Sequence, residues 1–303
     1  MQIIPTRHSK SILYVETVSL PRHCDRLFGL WHDIQHILDT SLDILVDFHY
    51  CEFLNHTGVA FLGGLARLIE HRGGRITFNW DTLDRKIHIN LAQNGFLYDF
   101  GCDRYPWDGN SIPFRCDIHQ NKPEVNDYLL NKWLGKGWVN ISQALQHMIA
   151  GRVWEIYDNA FIHSASEIGV FSCGQHYHRQ KQLHLTIIDF GVGIPSNVRS
   201  LPTNATMTSA EALKWAFLPG KSTVSQGISR GLGLHLIQEF IAANQGTLKI
   251  YSNDGVVSIK NGKIEYGTQP INFSGTFVNI EFQCDETYYC LESGIVSTEE
   301  PLF

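Results

Sequence analysis

The chain has 303 residues, 43% of them hydrophobic and 18% charged, with a formal net charge of -6. That length accommodates two ordinary domains, each with its own core, and that composition excludes a disordered chain. The acidic balance (pI ≈ 6.2) and the lack of local basic runs exclude an extended nucleic-acid surface, which needs a concentrated basic face.

The first half alternates helix and strand signals. Residues 22–39 place Leu27, Leu30, Trp31, Ile34, Ile37 and Leu38 on one helical face. Residues 43–48 (DILVDF) read as a short apolar strand. Thr57 can then cap a helix carrying Val59, Phe61, Leu62, Leu65 and Leu68, which should stop near Gly73-Gly74, where positive φ is cheap. A strand over 75–80 and a helix over 83–94 follow, and the alternation predicts a small α/β layer domain.

The run ILVDFHYCEFLNHTGVAFLGGLARLIEHRGGRITFNW resembles a STAS domain, the fold of bacterial anti-sigma-factor antagonists, over roughly residues 10–100. The resemblance implies a phospho-acceptor hydroxyl directly before the helix glycine, here Thr57 before Gly58. Asn55 and His56 depart from the acidic and serine residues usual there, which leaves open a docking domain that is not phosphorylated.

Residues 101–122 hold two prolines and several turn formers, a composition that fits a linker. The expected division is therefore a first domain with its linker over 1–115 and a second over 116–303. Helices are expected to about 166, a strand over 183–189, a long mixed stretch over 196–228 and a helix over 232–243. The tail alternates at LKIYS, VVSIK, KIEYG and TFVNIEF, with hairpin turns expected at Asn253-Asp254-Gly255 and Asn261-Gly262. This pattern predicts an α/β sandwich with a mixed sheet.

Seven cysteines, at 24, 51, 102, 116, 173, 284 and 290, are dispersed with no C-x-x-C pair, as expected of free thiols in a reducing cytoplasm. Cys173, His176 and His178 lie close together but lack a fourth ligand and a zinc-like spacing, so a polar loop is expected there. No apolar run reaches the ~18 residues of a membrane span, and the N-terminus lacks a signal-peptide core. The expectation is a cytoplasmic protein without membrane or nucleic-acid partners.

Three stretches carry chemistry. On the helix around VWEIYDNAFIHS, Leu145, Ile149, Val153, Ile156 and Ala160 form the buried stripe. Glu155 and Asn159, four residues apart, project from one edge, with Arg152 and His163 nearby. Asn159 offers a hard oxygen to magnesium, and Glu155 can orient or deprotonate an attacking group. In IIDFGVGIP, Asp189 ends a strand, where it can accept from the exocyclic amine of adenine. Gly191 and Gly193 let the backbone approach the base, and Pro195 stops further strand pairing. In SRGLGLHLI, Gly231, Gly233 and Leu234 open a helix whose first N–H groups can receive phosphate oxygens. Taken singly these are a solvated helix face, a strand-to-turn junction and a glycine turn.

In this order they resemble the GHKL ATP-binding superfamily shared by gyrase, the large heat-shock chaperone, sensor histidine kinases and mismatch-repair ATPases, over roughly residues 140–285. The resemblance implies a Bergerat-type sandwich that takes ATP and Mg2+, with Asn159 as magnesium ligand. It implies Glu155 as general base, as in members that hydrolyse ATP or phosphorylate serine. Gly220-Lys221-Ser222-Thr223 resembles the phosphate side of the family's lid, here residues 196–230, with Lys221 supplying charge and Ser222 or Thr223 a hydroxyl. Sensor histidine kinases usually carry Asn or His where this chain has Glu155, so the site looks closer to the ATPases and the anti-sigma serine kinases.

Three uses of such a site are expected to compete. One is a Mg-dependent ATPase or serine/threonine kinase of the partner-switching type, acting on a protein partner in a signalling pathway. Another is a non-catalytic, nucleotide-gated interaction module. The third is a histidine kinase-like protein, for which His32-Asp33-Ile34 superficially resembles a phospho-acceptor box but lacks the usual proline and a second dimerisation helix.

Overall fold

The computed structural model describes residues 1–5, 10–19, 24–35, 42–218, 235–292 and 295–299. The short apolar runs of the first half become a four-stranded sheet. Strand β1 (Gln2–Pro5) pairs antiparallel with β2 (Lys10–Tyr14), and β2, β3 (Asp43–Asp47) and β4 (Arg75–Asn79) run parallel. Parallel neighbours need long crossovers, and helices α1 (Cys24–Gln35) and α2 (His56–His71) supply them. Helix α2 ends where expected: Arg72 caps it, Gly73 follows at φ 80°, and Gly74 N–H returns to the Ile69 carbonyl at 2.9 Å. Its start differs from expectation. Asn55 is the N-cap, accepting from Gly58 N, and Thr57 lies inside the first turn. The Asn side chain preceding the helix reaches the third N–H, which leaves the Thr57 hydroxyl free to turn elsewhere.

Helices α3 (Arg85–Gln93) and α4 (Phe96–Asp99) lead to a larger, antiparallel sheet of five strands in the order β5-β6-β7-β9-β8. These are β5 (Ser111–Asp117), β6 (Val170–Tyr177), β7 (Gln182–Asp189), β8 (Thr247–Lys260) and β9 (Lys263–Gln283). Helices α5 (Lys122–Asp127) and α6 (Gln143–His163) lie between β5 and β6 in sequence. Helices α7 (Ile194–Arg199), α8 (Ser209–Ala216) and α9 (His235–Asn244) lie between β7 and β8. A ribbon of β10 (Tyr288–Glu292) and β11 (Ile295–Glu299) closes the described chain. The protein is thus mixed α/β, with parallel and antiparallel sheets.

Period-two alternation buries both faces of the larger sheet. Leu183, Leu185, Ile187, Val278, Ile280 and Phe282 face the core under α6 and α9. On the opposite face Phe171, Ile188, Phe273 and Phe277 join Phe28, Trp31 and Phe61 of α1 and α2. The helices of the first half therefore cover the larger sheet. The fit is close at Gly64 in α2, where an added Cβ would overlap the Phe190 ring and stand 3.0 Å from Phe171 Cδ2. Gly64→Val is expected to lower stability by about 1–3 kcal/mol through overpacking, despite a better helix propensity than glycine. Urea denaturation measures it, and an unchanged midpoint would mean that the seam yields freely.

Two expectations need correction. Residues 111–117, expected as linker, form β5, so the expected boundary at 115/116 cuts a strand of the larger sheet. Cys173 and His176, expected in a polar loop, lie in β6, and the turn follows at 178–181. In the stretch expected to be long and mixed, α7 and α8 are the described helices, and residues 219–230 lie outside the described residues.

Both expected turns in the tail are found. Asn261 (φ 51°) and Gly262 (φ 69°) join β8 to β9. At the other, register breaks between Ser252 and Gly255 and Asn253 takes φ 52°. Thr247 and Lys249 line the same cavity as Ser258 and Lys260. A straight strand would hold residues 247 and 260 roughly 43 Å apart, at about 3.3 Å per residue. Strand β8 therefore doubles back at Asn253–Gly255. Among the described residues, no helix is long and apolar enough to cross a membrane.

Candidate functional site

Helix α6 begins at Ser142, whose hydroxyl accepts from Leu145 N, and buries the expected stripe of Leu145, Ile149, Val153, Ile156 and Ala160. Glu155 and Asn159 are half-buried on another edge of the helix. Arg152 Nη1 donates to Glu155 Oε1 at 2.6 Å, an i,i+3 ion pair that lays the carboxylate along the helix. Asp158 points elsewhere and accepts from Gln120 Nε2.

The end of α6 is tied to the loop that follows β7. Val192 N donates to the Ser164 carbonyl at 2.7 Å, and Asn197 Nδ2 to the His163 carbonyl at 2.7 Å. The structure therefore brings the last turn of α6 and the Asp189–Gly193 loop into one corner, with Asn159 one helical turn before it and Glu155 a turn further back.

Asp189 is the most constrained group of this corner. It ends β7, is 2% exposed, and pairs across the sheet with Thr276. Burial pushes its carboxyl up to about 7, opposed by the Gly191 N–H and by the N–H and hydroxyl of Thr276. Gly191 N donates to Oδ1 at 2.9 Å. One strand further, Ser252 Oγ lies 3.2 Å from Thr276 Oγ1, donates to the Gly275 carbonyl at 2.7 Å, and accepts from Ile194 N at 2.8 Å. Asp189, Thr276 and Ser252 thus form a polar rung on the α6 side of a sheet that is otherwise apolar there.

The two loop glycines are required by protein contacts. A Cβ at Gly191 would overlap the Ser164 carbonyl oxygen, and one at Gly193 (φ 83°) would stand 2.7 Å from Asn253 Oδ1. Asn253 also accepts from Ser196 N at 3.2 Å and donates to the Val192 carbonyl at 3.2 Å, so it pins this loop from the β8 side. The loop's path is thus set by Ser164 and Asn253. Pro195 sits in the first turn of α7, where a missing N–H costs nothing.

Thr57 is not part of this corner. It is 3% exposed on the opposite face of the sheet, its Oγ1 3.2 Å from Thr186 Oγ1 and 3.4 Å from Asn279 Oδ1. Lys221, Ser222, Thr223, Gly231, Gly233 and Leu234 lie outside the described residues. His32 is exposed on α1. No site role is expected from the sequence for Thr276 or Ser252, and Asn253 is expected there only as a turn residue. The only trace of Thr276 in the sequence is a Ser-Gly-Thr step heading the strand TFVNIEF. No protein-family model and no curated protein matches the chain.

Proposed function

We propose that the chain binds ATP with magnesium at the corner between α6 and the carboxyl end of β7. On this reading it acts in signalling as a Mg-dependent ATPase or a serine/threonine kinase of the partner-switching type. The larger sheet with α6 and α9 corresponds to the GHKL-type sandwich, and the first half to a STAS-like domain. The observation that carries the reading is Asp189: a carboxylate buried at a strand end, held by the Gly191 and Thr276 donors, in a loop tied to the helix bearing Glu155 and Asn159. Burying a carboxylate this deeply costs stability, and a ligand donor such as the adenine amine offsets that cost.

The donor set on α6 suits magnesium, which prefers hard oxygens and keeps several waters. Asn159 would supply a neutral oxygen to the ion, and the ion would supply charge neutralisation at the phosphates. Glu155 would accept the proton of an attacking water or serine hydroxyl, and the Arg152 pair orients it along the helix edge. Among the described residues, no three His, Cys, Asp or Glu side chains converge on a metal. The remaining ligands of an ion here would be phosphate oxygens and water.

One observation favours the second reading, a nucleotide-gated interaction module. The hydroxyl of Thr57, the expected acceptor, is turned into the larger sheet, so the first half is docked on the chain's own nucleotide half. Incubation of pure protein with labelled ATP and magnesium separates the two readings. Free phosphate or phosphoprotein supports catalysis, and bound but unchanged ATP supports the module. Glu155→Ala is expected to keep most ATP affinity and lose about 10²-fold in turnover, whereas Asn159→Ala should weaken magnesium-dependent binding itself. Normal turnover by the Glu155 variant would place the base elsewhere.

A further inference from the structure

The seam between the first half and the larger sheet is apolar along most of its length. Phe28, Trp31, Phe61, Phe190, Phe273 and Phe277 fill it with ring contacts. At one end its character changes. There a cavity of about 310 Å³ is lined by His56 and Thr57 at the start of α2 and by Lys249, Lys260, Asn279 and Glu281 of β8 and β9. The strand register explains the change. The rung Ile188–Phe277–Tyr251 is apolar, the next is Thr186–Asn279–Lys249, and the one beyond is His184–Glu281–Thr247. All three face the first half.

Charge and hydrogen bonding in this cavity are organised. Tyr177 OH lies 3.0 Å from His56 Nδ1, and His56 Nε2 lies 3.4 Å from Thr57 Oγ1, which also contacts Thr186 and Asn279. Burial keeps His56 well below the ordinary imidazole range and lowers His184 to about 4, so both rings are neutral hydrogen-bonding groups near pH 7. Among the described lining residues the positive charge comes from Lys249 and Lys260 and the negative charge from Glu281, which accepts from Gln182 Nε2 at 2.9 Å and Gln283 Nε2 at 3.2 Å. The positive end of the α2 dipole opens on the same space, since His56 and Thr57 are the first two residues of a 16-residue helix.

We infer that this cavity is a binding site for a phosphoryl group, either inorganic phosphate or the monoester of a small metabolite, held between Lys249, Lys260 and the hydroxyl and imidazole groups at the start of α2. The volume is at the lower end of small-ligand pockets. With Glu281 beside Lys249 and Lys260 the described lining carries a net charge of about +1, which a phosphoryl group of about -1.5 to -2 offsets. The three acceptor oxygens of that group can meet the two ammonium groups and the Thr57 hydroxyl together, which a carboxylate's two oxygens cannot. Because α2 belongs to the first half and β8 and β9 to the second, such a ligand bridges the two and tightens their docking. The site is separate from the nucleotide corner, which lies on the other face of the sheet.

The test uses the full chain and two probes, inorganic phosphate and glycerol 3-phosphate, with acetate and glycerol as controls. Saturable rises in melting temperature are expected for the phosphates and not for the controls, because a ligand that binds only the folded state stabilises it by mass action. Tighter binding of glycerol 3-phosphate assigns a monoester, and equal binding assigns free phosphate. Lys249→Met and Lys260→Met should each weaken phosphate binding by about ten-fold or more, the loss expected for one charge-assisted hydrogen bond, while Lys86→Met on α3 changes nothing. Circular dichroism confirms that each variant is folded. Asp189→Ala should leave phosphate binding intact. The assignment fails if the phosphates shift the melting temperature no more than acetate does. It fails equally if Lys249→Met and Lys86→Met behave alike, or if Asp189→Ala abolishes the effect, which would locate the anion in the nucleotide corner.

Discussion

Asp189→Asn is expected to stabilise the folded chain at pH 8, to leave its stability nearly unchanged at pH 4, and to weaken ATP binding by about ten-fold. The stability effect follows from linkage. The carboxyl moves from 3.8 to about 7 on folding, mainly through burial. Below pH 3.8 both folded and unfolded chains hold the proton, so the group contributes nothing. Between 3.8 and about 7 the unfolded chain releases it and the folded chain retains it, so stability falls as pH rises. Above 7 the whole cost is in place, at most about 4 kcal/mol for a displacement of this size. Asparagine removes the charge and keeps an oxygen for the Gly191 N–H, so a gain of about 2–4 kcal/mol at pH 8 is expected. Urea unfolding at the two pH values measures it.

The binding effect has the opposite sign. A charged acceptor gains about 1.5–3 kcal/mol from a hydrogen bond and a neutral one about 0.5–1.5, so the proposed contact with adenine should lose roughly ten-fold with Asn and more with Ala. GTP, which lacks the exocyclic amine at that position, should bind more weakly than ATP to the native chain. Titration calorimetry with both nucleotides decides this. Equal affinities, or an Asn variant that is more stable and binds ATP unchanged, would remove Asp189 from the nucleotide site while leaving the linkage argument standing.

Some parts of this molecule were legible because one physical signal dominated them. The stripe of α6 is a clean helical period, and Asn261-Gly262 supplies the two positive-φ residues that a two-residue hairpin needs. Strand β5 was hidden by Pro113, which argues against a strand; it is accommodated because β5 is an edge strand whose register shifts between Ile112 and Arg115. Strand β6 was hidden by its polarity. Its Gln175 looks solvated in sequence, yet it is 6% exposed and accepts from Asn90 Nδ2 and Ser111 Oγ. At the candidate site Asp189 was visible as an acidic strand end. Its partner Thr276 was not, because the contact is made by sheet register between strands far apart in sequence. Thr57 shows the same limit. Its place before a helix glycine was clear, and its burial against Thr186 depends on how α2 of the first half packs on the larger sheet.

Gly191→Ala tests whether the corner between α6 and β7 works as one unit. A single Cβ there would overlap the Ser164 carbonyl oxygen and stand 2.6 and 2.7 Å from Ser164 C and Cβ. The obstacle is backbone, which cannot swing aside as a side chain can, so either the loop or the last turn of α6 must move. Movement breaks the Val192 N–Ser164 O bond of 2.7 Å and draws the Gly191 N–H away from Asp189 Oδ1. Losing both leaves a buried carbonyl and a buried carboxylate short of donors, at about 1–3 kcal/mol each. The variant should therefore lose about 2–5 kcal/mol of stability, and ATP affinity should fall by about 10²-fold, since Asp189 and Asn159 no longer share a fixed geometry. Ala at the exposed Gly73, where φ is 80° and a Cβ meets nothing within 4 Å, provides the control: it should cost about 1 kcal/mol from backbone strain and leave ATP binding unchanged. Urea denaturation and calorimetry on the same preparations separate the two effects. A folded Gly191→Ala chain with native ATP affinity would show that the loop and α6 move independently, and that nucleotide binding does not depend on their contact.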